Sequence, residues 1–261
     1  MAIDPAIDRG LSRPIGAHAA AAAPTRPSRL AAALLGFAAD ALLLGLLTAA
    51  LAFLGLAPLL ARRVDLDAHL LAVMSLSFVA MAVAAWPLWQ RSRRHAAVQP
   101  LMALRPSLGL AVVVGLATFA VNALRSWLEP QLVGEVPEPS NVAPILAALA
   151  SQPWPAMAVF VLLGPWVEEL LLRRVLLGRM LARGWPWLGV LLTTSVFAWL
   201  HEPLPRADLV TGQWLWLLSG YWLMGALFAW VYWRTRRLSA AFAAHAINNA
   251  LACGVLLVTP G

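Results

Sequence analysis

The chain has 261 residues, of which 61% are hydrophobic and only 12% charged, with a mean hydropathy of +0.76. A soluble globular domain carries about 25% charged residues, so that class is excluded, and so is disorder. Cys253 is the single cysteine, which also excludes a disulfide scaffold or a zinc ribbon. The net charge of +7 comes from 19 basic residues, all of them Arg, in short clusters between apolar runs. That is how a membrane protein marks its loops, and no nucleic-acid partner is expected from it.

Residues 1–29 are rich in Ala, Pro and Arg and read as a mobile cytoplasmic tail. Apolar stretches follow at 30–60, 69–89, 107–124, 143–177, 186–201, 212–233 and 239–258. Most approach the roughly 20 residues that a helix needs to cross the hydrocarbon. The stretch at 143–177 is too long for one span: Pro153 and Pro155 split off a short interfacial or re-entrant piece at 143–151, and Gly164-Pro165 bends the remainder. The expected fold is all-α, a polytopic transmembrane helix bundle of about seven to eight spans. Its N-terminal transmembrane helices lie in 30–142 and a transmembrane core in 143–258.

Arg clusters precede the first stretch, separate the second from the third, and follow the fourth and sixth. Alternate loops carry few Arg and hold Glu129, Glu135 and Glu138. The positive-inside rule then places the N-terminus in the cytoplasm and the C-terminus outside. The Arg-only, Ala-rich composition is that of a GC-rich bacterial genome, so a multi-pass protein of the bacterial inner membrane is expected.

Polar groups inside the apolar stretches carry the functional information. Trp166-Val167-Glu168-Glu169-Leu170-Leu171-Leu172-Arg173-Arg174 holds four charges, which would cost on the order of 10 kcal/mol if unpaired and facing lipid. Glu169 and Arg173 are four apart and can pair on one helix face. Glu168, turned by about 100°, is left over. Phe197-Ala198-Trp199-Leu200-His201 ends the fifth stretch, and His245-Ala246-Ile247-Asn248-Asn249 puts His245 and Asn249 on one face of the seventh. A free Glu, two His and an Asn on three apolar helices make a convergent polar site.

Glu168-Glu169-x-x-x-Arg173, Phe197-x-x-x-His201 and His245-x-x-x-Asn249 resemble, in order and spacing, the three motifs of the CPBP family. These are intramembrane proteases related to the type II CAAX prenyl endopeptidase and to bacteriocin-processing enzymes. The resemblance covers residues 143–258, with departures at Leu172 and Arg174. It implies a glutamic endopeptidase that hydrolyses a peptide bond of a membrane-associated or C-terminally anchored protein, cut near its C-terminus or anchor. Glu168 would take a proton from water and His201 would hold that water. His245 and Asn249 would form the oxyanion hole. Glu169, Arg173 and Phe197 would support them, and membrane lipid and a peptide substrate would be the partners.

No cofactor is then required. The rival is a zinc-dependent version in which Glu168, His201 and His245 ligate the ion. The zincin pattern is missing, because His201-Glu202 runs into Pro203-Leu204-Pro205. A non-catalytic scaffold or bacteriocin-immunity protein is the alternative from another class. Asp40 has no partner aspartate in a later span and is expected to be a structural polar contact. Ser195 and Ser219 are expected to bond the preceding turn.

The depths of the motifs conflict. Glu168 lies about 15 Å, and His245 about 9 Å, from the cytoplasmic ends of their spans. His201 falls near the external end of its own. Either that helix is recessed, with 202–211 dipping inward, or the boundary of the fourth span is misplaced.

Overall fold

The computed structural model describes residues 26–61, 69–92 and 98–258. The expected tail falls outside these residues as far as position 25. Among the described residues there is no strand, and the elements are α1 (Arg26–Ala61), α2 (Leu70–Ser92), α3 (Leu104–Leu132), α4 (Val142–Ser151), α5 (Pro153–Ala182), α6 (Pro186–His201), α7 (Thr211–Thr235) and α8 (Leu238–Val258). Residues 26–29, assigned above to the tail, form the first turn of α1, where Pro27 is tolerated because first-turn N–H groups have no intrahelical acceptor.

Six of these helices are long and apolar enough to cross a membrane: α1, α2, α3, α5, α7 and α8. The fifth expected span, α6, has 16 residues, about 24 Å of helix, which falls short of the roughly 30 Å hydrocarbon. The short piece before Pro153 is α4, separated from α5 at Gln152, whose φ of −144° and ψ of 70° break the helix. The boundary expected at 177 moves to Ala182. There the chain turns at Gly184, whose φ of +79° is readily adopted only without a Cβ.

α5 is the central element. In its apolar window 61% of residues are buried, against 17–28% in the other five long helices. This burial lets its middle carry Glu168, Glu169, Arg173 and Arg174, which meet other parts of the protein or its cavity and not lipid. α5 is also irregular: residues Ala158–Leu163 and Leu170–Leu177 are π-helical, with an α-helical turn Gly164–Glu169 between them. Wide π turns are rare and are frequently found at functional sites.

Asp40 of α1 ties that helix to the far end of α5. Its Oδ2 lies 2.6 Å from Arg179 Nε and 3.8 Å from Arg183 Nη2. Gly36 makes room for the second arginine, since a Cβ there would stand 2.6 Å from Arg183 Nη2. The expected structural contact is thus an ion pair. Across the bundle α3 runs parallel to α8, joined at the start by Leu101 N–H to the Thr235 carbonyl (3.0 Å). Higher up, Gly115 permits close approach: a Cβ there would come within 2.7 Å of the Ala244 carbonyl. Asp40→Ala should leave two arginines without their carboxylate and destabilise the detergent-solubilised protein by about 1.5–3 kcal/mol. Thermal unfolding of variant and wild type measures this.

Candidate active site

The carboxylate of Glu169 is the hub. Its Oε2 pairs with Arg173 Nε at 3.0 Å, and neither side chain is exposed. Its Oε1 lies 3.1 Å from His245 Nδ1. An ionised carboxylate only accepts, so His245 donates through Nδ1, and its Nε2 faces Glu168 Oε2 at 4.0 Å. The Glu169–Arg173 pair matches the spacing argument, but the bond to His245 adds a link between α5 and α8 that i, i+4 spacing does not contain. Arg173 is held further by Nη2 donating to the Gly225 carbonyl (3.3 Å) and by the Phe197 ring, 5.3 Å from its guanidinium. Gly225 keeps this approach close, since a Cβ there would stand 3.1 Å from the Phe197 ring.

His201 closes α6. Its Nδ1 lies 2.8 Å from the Phe197 carbonyl, which can only accept, so Nδ1 carries the proton and the neutral ring keeps its lone pair on Nε2. The ring stacks on Tyr221 (4.6 Å, 23°), while His245 stacks on Phe228 (4.6 Å, 20°).

These stacking partners resolve the conflict of depths. Tyr221, Gly225 and Phe228 lie on α7, and they mark the levels of His201, Arg173 and His245. Seven residues separate the first from the last, about 10 Å of rise. α7 starts at Thr211, so it continues about 15 Å beyond Tyr221. His201 ends a short helix but lies at the middle of a long one. Measured along α7, the two histidines lie within about 10 Å of each other, and the α5 boundary lies at Ala182.

Asn249 is positioned by a backbone defect. Its Nδ2 donates to the Phe160 carbonyl (3.0 Å) and its Oδ1 accepts from Asn248 Nδ2 (3.1 Å). Phe160 lies in the first π turn, where the Gly164 N–H bonds the Val159 carbonyl. The next residue, Pro165, has no N–H to offer Phe160. Asn249 fills that vacancy across the helix interface and keeps one N–H for the cavity.

Glu168, His201, His245, Asn248 and Asn249 line one cavity of about 940 Å³. Glu168 is 17% exposed, and its Oε2 is buried with no hydrogen-bond partner. The expected catalytic residues are therefore brought together, while Glu169, Arg173 and Phe197 lie behind them. Residues of α3 and of the segment 136–142 complete the wall.

Several polar residues of the site escaped the sequence argument. Glu202, 1% exposed, accepts the Ser140 N–H at Oε1 (2.8 Å), while Ser140 Oγ donates to the His201 carbonyl (2.8 Å). Tyr221 donates to Asn141 Oδ1 (2.7 Å). The segment is pinned again where Arg206 donates to the Glu138 carbonyl and Gln213 to that of Glu135, both at 2.8 Å. Glu202 carried a signal, a carboxylate directly after a motif histidine, whereas Ser140 and Asn141 lie in a loop without periodicity. Ser219 bonds the preceding turn as expected (Trp216 carbonyl, 2.7 Å), but Ser195 instead accepts from Trp222 Nε1 at 3.4 Å. Cys253 is a free buried thiol.

Among the described residues no three His, Cys, Asp or Glu side chains are grouped to hold a metal ion. Glu169→Gln should strand the buried Arg173 charge and cost about 3–5 kcal/mol. Adding Arg173→Met should recover stability but not activity, because His245 still lacks its carboxylate. Unfolding and activity measured on the single and double variants separate the two effects.

Residues 150–251 match the family model described as type II CAAX prenyl endopeptidase Rce1-like. No curated protein and no solved structure matches the chain. The matched segment contains all three motifs, from Glu168 to Asn249. The family is one of proteases, which carries with it a protein substrate and a membrane setting. The chain is a multi-pass membrane protein whose residues 150–251 match the model of the Rce1-like, CAAX-type or CPBP, proteases.

Proposed function

We propose that this protein is an intramembrane glutamic endopeptidase in which Glu168 activates the attacking water. The observation that carries the reading is Glu168 itself: a carboxylate whose buried Oε2 accepts no hydrogen bond and stands 4.0 Å from His245 Nε2, in the cavity that His201 also lines. Glu169 does not compete for that task, since both of its oxygens are engaged.

A water between Glu168 and His201 donates one hydrogen bond to each. Glu168 takes a proton from it as the oxygen attacks the scissile carbonyl. The oxyanion receives the spare Nδ2–H of Asn249 and the Nε2–H of His245. His245, held through Nδ1 by Glu169, reaches the oxyanion through the ring nitrogen that faces Glu168. The proton held by Glu168 then passes to the leaving nitrogen by way of His201, releasing a carboxylate and an amine. No step calls for a metal or another cofactor.

The division into an N-terminal helical part, 30–142, and a catalytic core, 143–258, is kept in this reading, with the first part lending Ser140 and Asn141 to the wall. The Arg distribution supports a bacterial inner membrane with the N-terminus in the cytoplasm and the C-terminus outside. The substrate is a membrane-associated or C-terminally anchored protein.

Glu168→Gln should lower proteolysis by about 10²–10⁴ with unchanged thermal unfolding, and Asn249→Ala by about 10²–10³. Protein C-termini in membrane and secreted fractions, compared by mass spectrometry between wild type and Glu168→Gln at matched expression, provide the readout. Identical termini would favour a non-catalytic scaffold. Wild-type cleavage should survive a chelator, and its loss would turn the assignment to the zinc version. Alkaline phosphatase fused to the C-terminus should be active, and fused before α1 inactive.

A further inference from the structure

A second cavity, of about 320 Å³, lies where α6 begins and α7 ends, and it shares no lining residue with the first. Leu101, Trp187, Trp230, Trp233, Arg234 and Arg236 form its wall. Every polar side chain in that set only donates, because an indole offers one N–H and a guanidinium five, and neither accepts. No Asp or Glu stands among them. The Arg234 guanidinium and the three indole N–H groups have no hydrogen-bond or ion-pair partner among the described residues. Trp187 and Trp233 meet edge to face, with centroids 4.3 Å apart and planes at 79°, which fixes one corner of the cavity.

Cations at a helix C-terminus answer the helix dipole, which alone would account for arginines here. The carbonyls of Tyr232, Trp233 and Thr235 are already bonded, however, to Arg236 N–H, Arg236 Nε and Leu101 N–H. The Arg234 side chain bonds none of them and stays available. Arg236 also has left-handed backbone, with a φ of 54°, at a helix end where Gly is the common residue. A side chain costs energy in that conformation, and here it brings a guanidinium to the cavity. A wall made only of donors, two of them cationic, is suited to a phosphate.

The level of the cavity indicates where that phosphate comes from. Trp187 lies in the first turn of α6 and Arg234 in the last turn of α7, the ends that the Arg distribution assigns to the cytoplasmic surface. One turn further into the membrane on the same helix faces are Leu191 and Trp230, 50% and 39% exposed. Donors at the boundary with open apolar surface beside them match a headgroup and its acyl chains, which a free phosphate ion lacks. With no carboxylate in its wall, the cavity offers no side chain to the ammonium of a zwitterionic headgroup, so an anionic lipid fits it.

We propose that this cavity holds the phosphate of one anionic glycerophospholipid of the cytoplasmic leaflet, bound by Arg234, Arg236 and the indole N–H groups. The lipid then joins three pieces of chain: α6, α7 and the residues before α3, where Leu101 N–H bonds the Thr235 carbonyl. Arg234 lies about 9 Å along α7 from Phe228, the level of His245. The site is separate from the peptidase chemistry and stands whether or not the protein cuts peptides.

Full-length protein, purified in a neutral detergent, is given phosphatidylglycerol or phosphatidylcholine; native mass spectrometry counts bound lipid and thermal unfolding reports stability. Wild type should retain one phosphatidylglycerol and prefer it to phosphatidylcholine by about tenfold or more. Arg234→Gln, Trp187→Leu and Arg236→Asn, whose side chain tolerates left-handed backbone, should each lower that preference. The two arginine changes together should bring it to within about twofold of parity. Arg91→Gln, at the exposed end of α2, should leave it unchanged. Phosphatidylglycerol should raise the unfolding temperature of wild type but not of the double variant, and inorganic phosphate should raise neither. Equal retention of the two lipids, or an equal loss of preference on Arg91→Gln, would overturn the site. Stabilisation by inorganic phosphate that matches the lipid's would overturn the lipid assignment in favour of a soluble anion. Arg234 and Trp187 are exposed, so their variants keep the test decisive even if Arg236→Asn fails to fold.

Discussion

The carboxylate of Glu169, shared between Arg173 and His245 with no exposure to solvent, is the constraint around which the bundle is arranged. A buried ion pair adds little stability over well-packed apolar residues, but breaking it is costly. Its consequence here is geometric. Two charges can stay inside only if α5 is enclosed by other helices, if the α7 backbone approaches Arg173 closely at Gly225, and if Phe197 covers the guanidinium. The same carboxylate then fixes the ring of His245. One interaction both accounts for the central place of α5 and decides which ring nitrogen of His245 faces the cavity.

A second constraint comes from the backbone of α5. Two π-helical stretches flank the turn that carries Glu168 and Glu169. Pro165 withholds an N–H at the end of the first, and the Phe160 carbonyl finds its donor in Asn249. A local departure from helical hydrogen bonding therefore orients a side chain on another helix. Hydrocarbon makes this coupling strict, since a freed carbonyl there has no water to turn to.

One wall of the cavity is built differently, from a segment with little secondary structure between α3 and α4. It is held by side chains donating to its carbonyls, from Arg206 and Gln213, and by side chains accepting from it, as Glu202 does from Ser140. Such bonds hold a backbone in place with few demands on its own sequence. They also join residues before position 142 to the segment that matches the protease family, so the site is assembled from more of the chain than the motifs occupy.

Much of this was legible in the chain alone. Composition and the lengths of apolar runs determined a helical membrane protein, because hydrocarbon tolerates few alternatives to a helix. Glu168, Glu169, Arg173, His201, His245 and Asn249 declared themselves because each is expensive in an apolar helix, and i, i+4 spacing gave the Glu169–Arg173 pair. Only the tertiary structure decided what spans helices. It placed His201 at the middle of α7 although the residue ends its own helix, gave Glu169 to His245, and turned Asn249 toward Phe160. It also brought Ser140, Asn141 and Arg125 to the cavity. The physical reason is that spacing along a chain fixes neighbours on one helix, whereas contacts between helices follow from packing, where a glycine, a proline or a wide turn shifts a face by angles that no local pattern records.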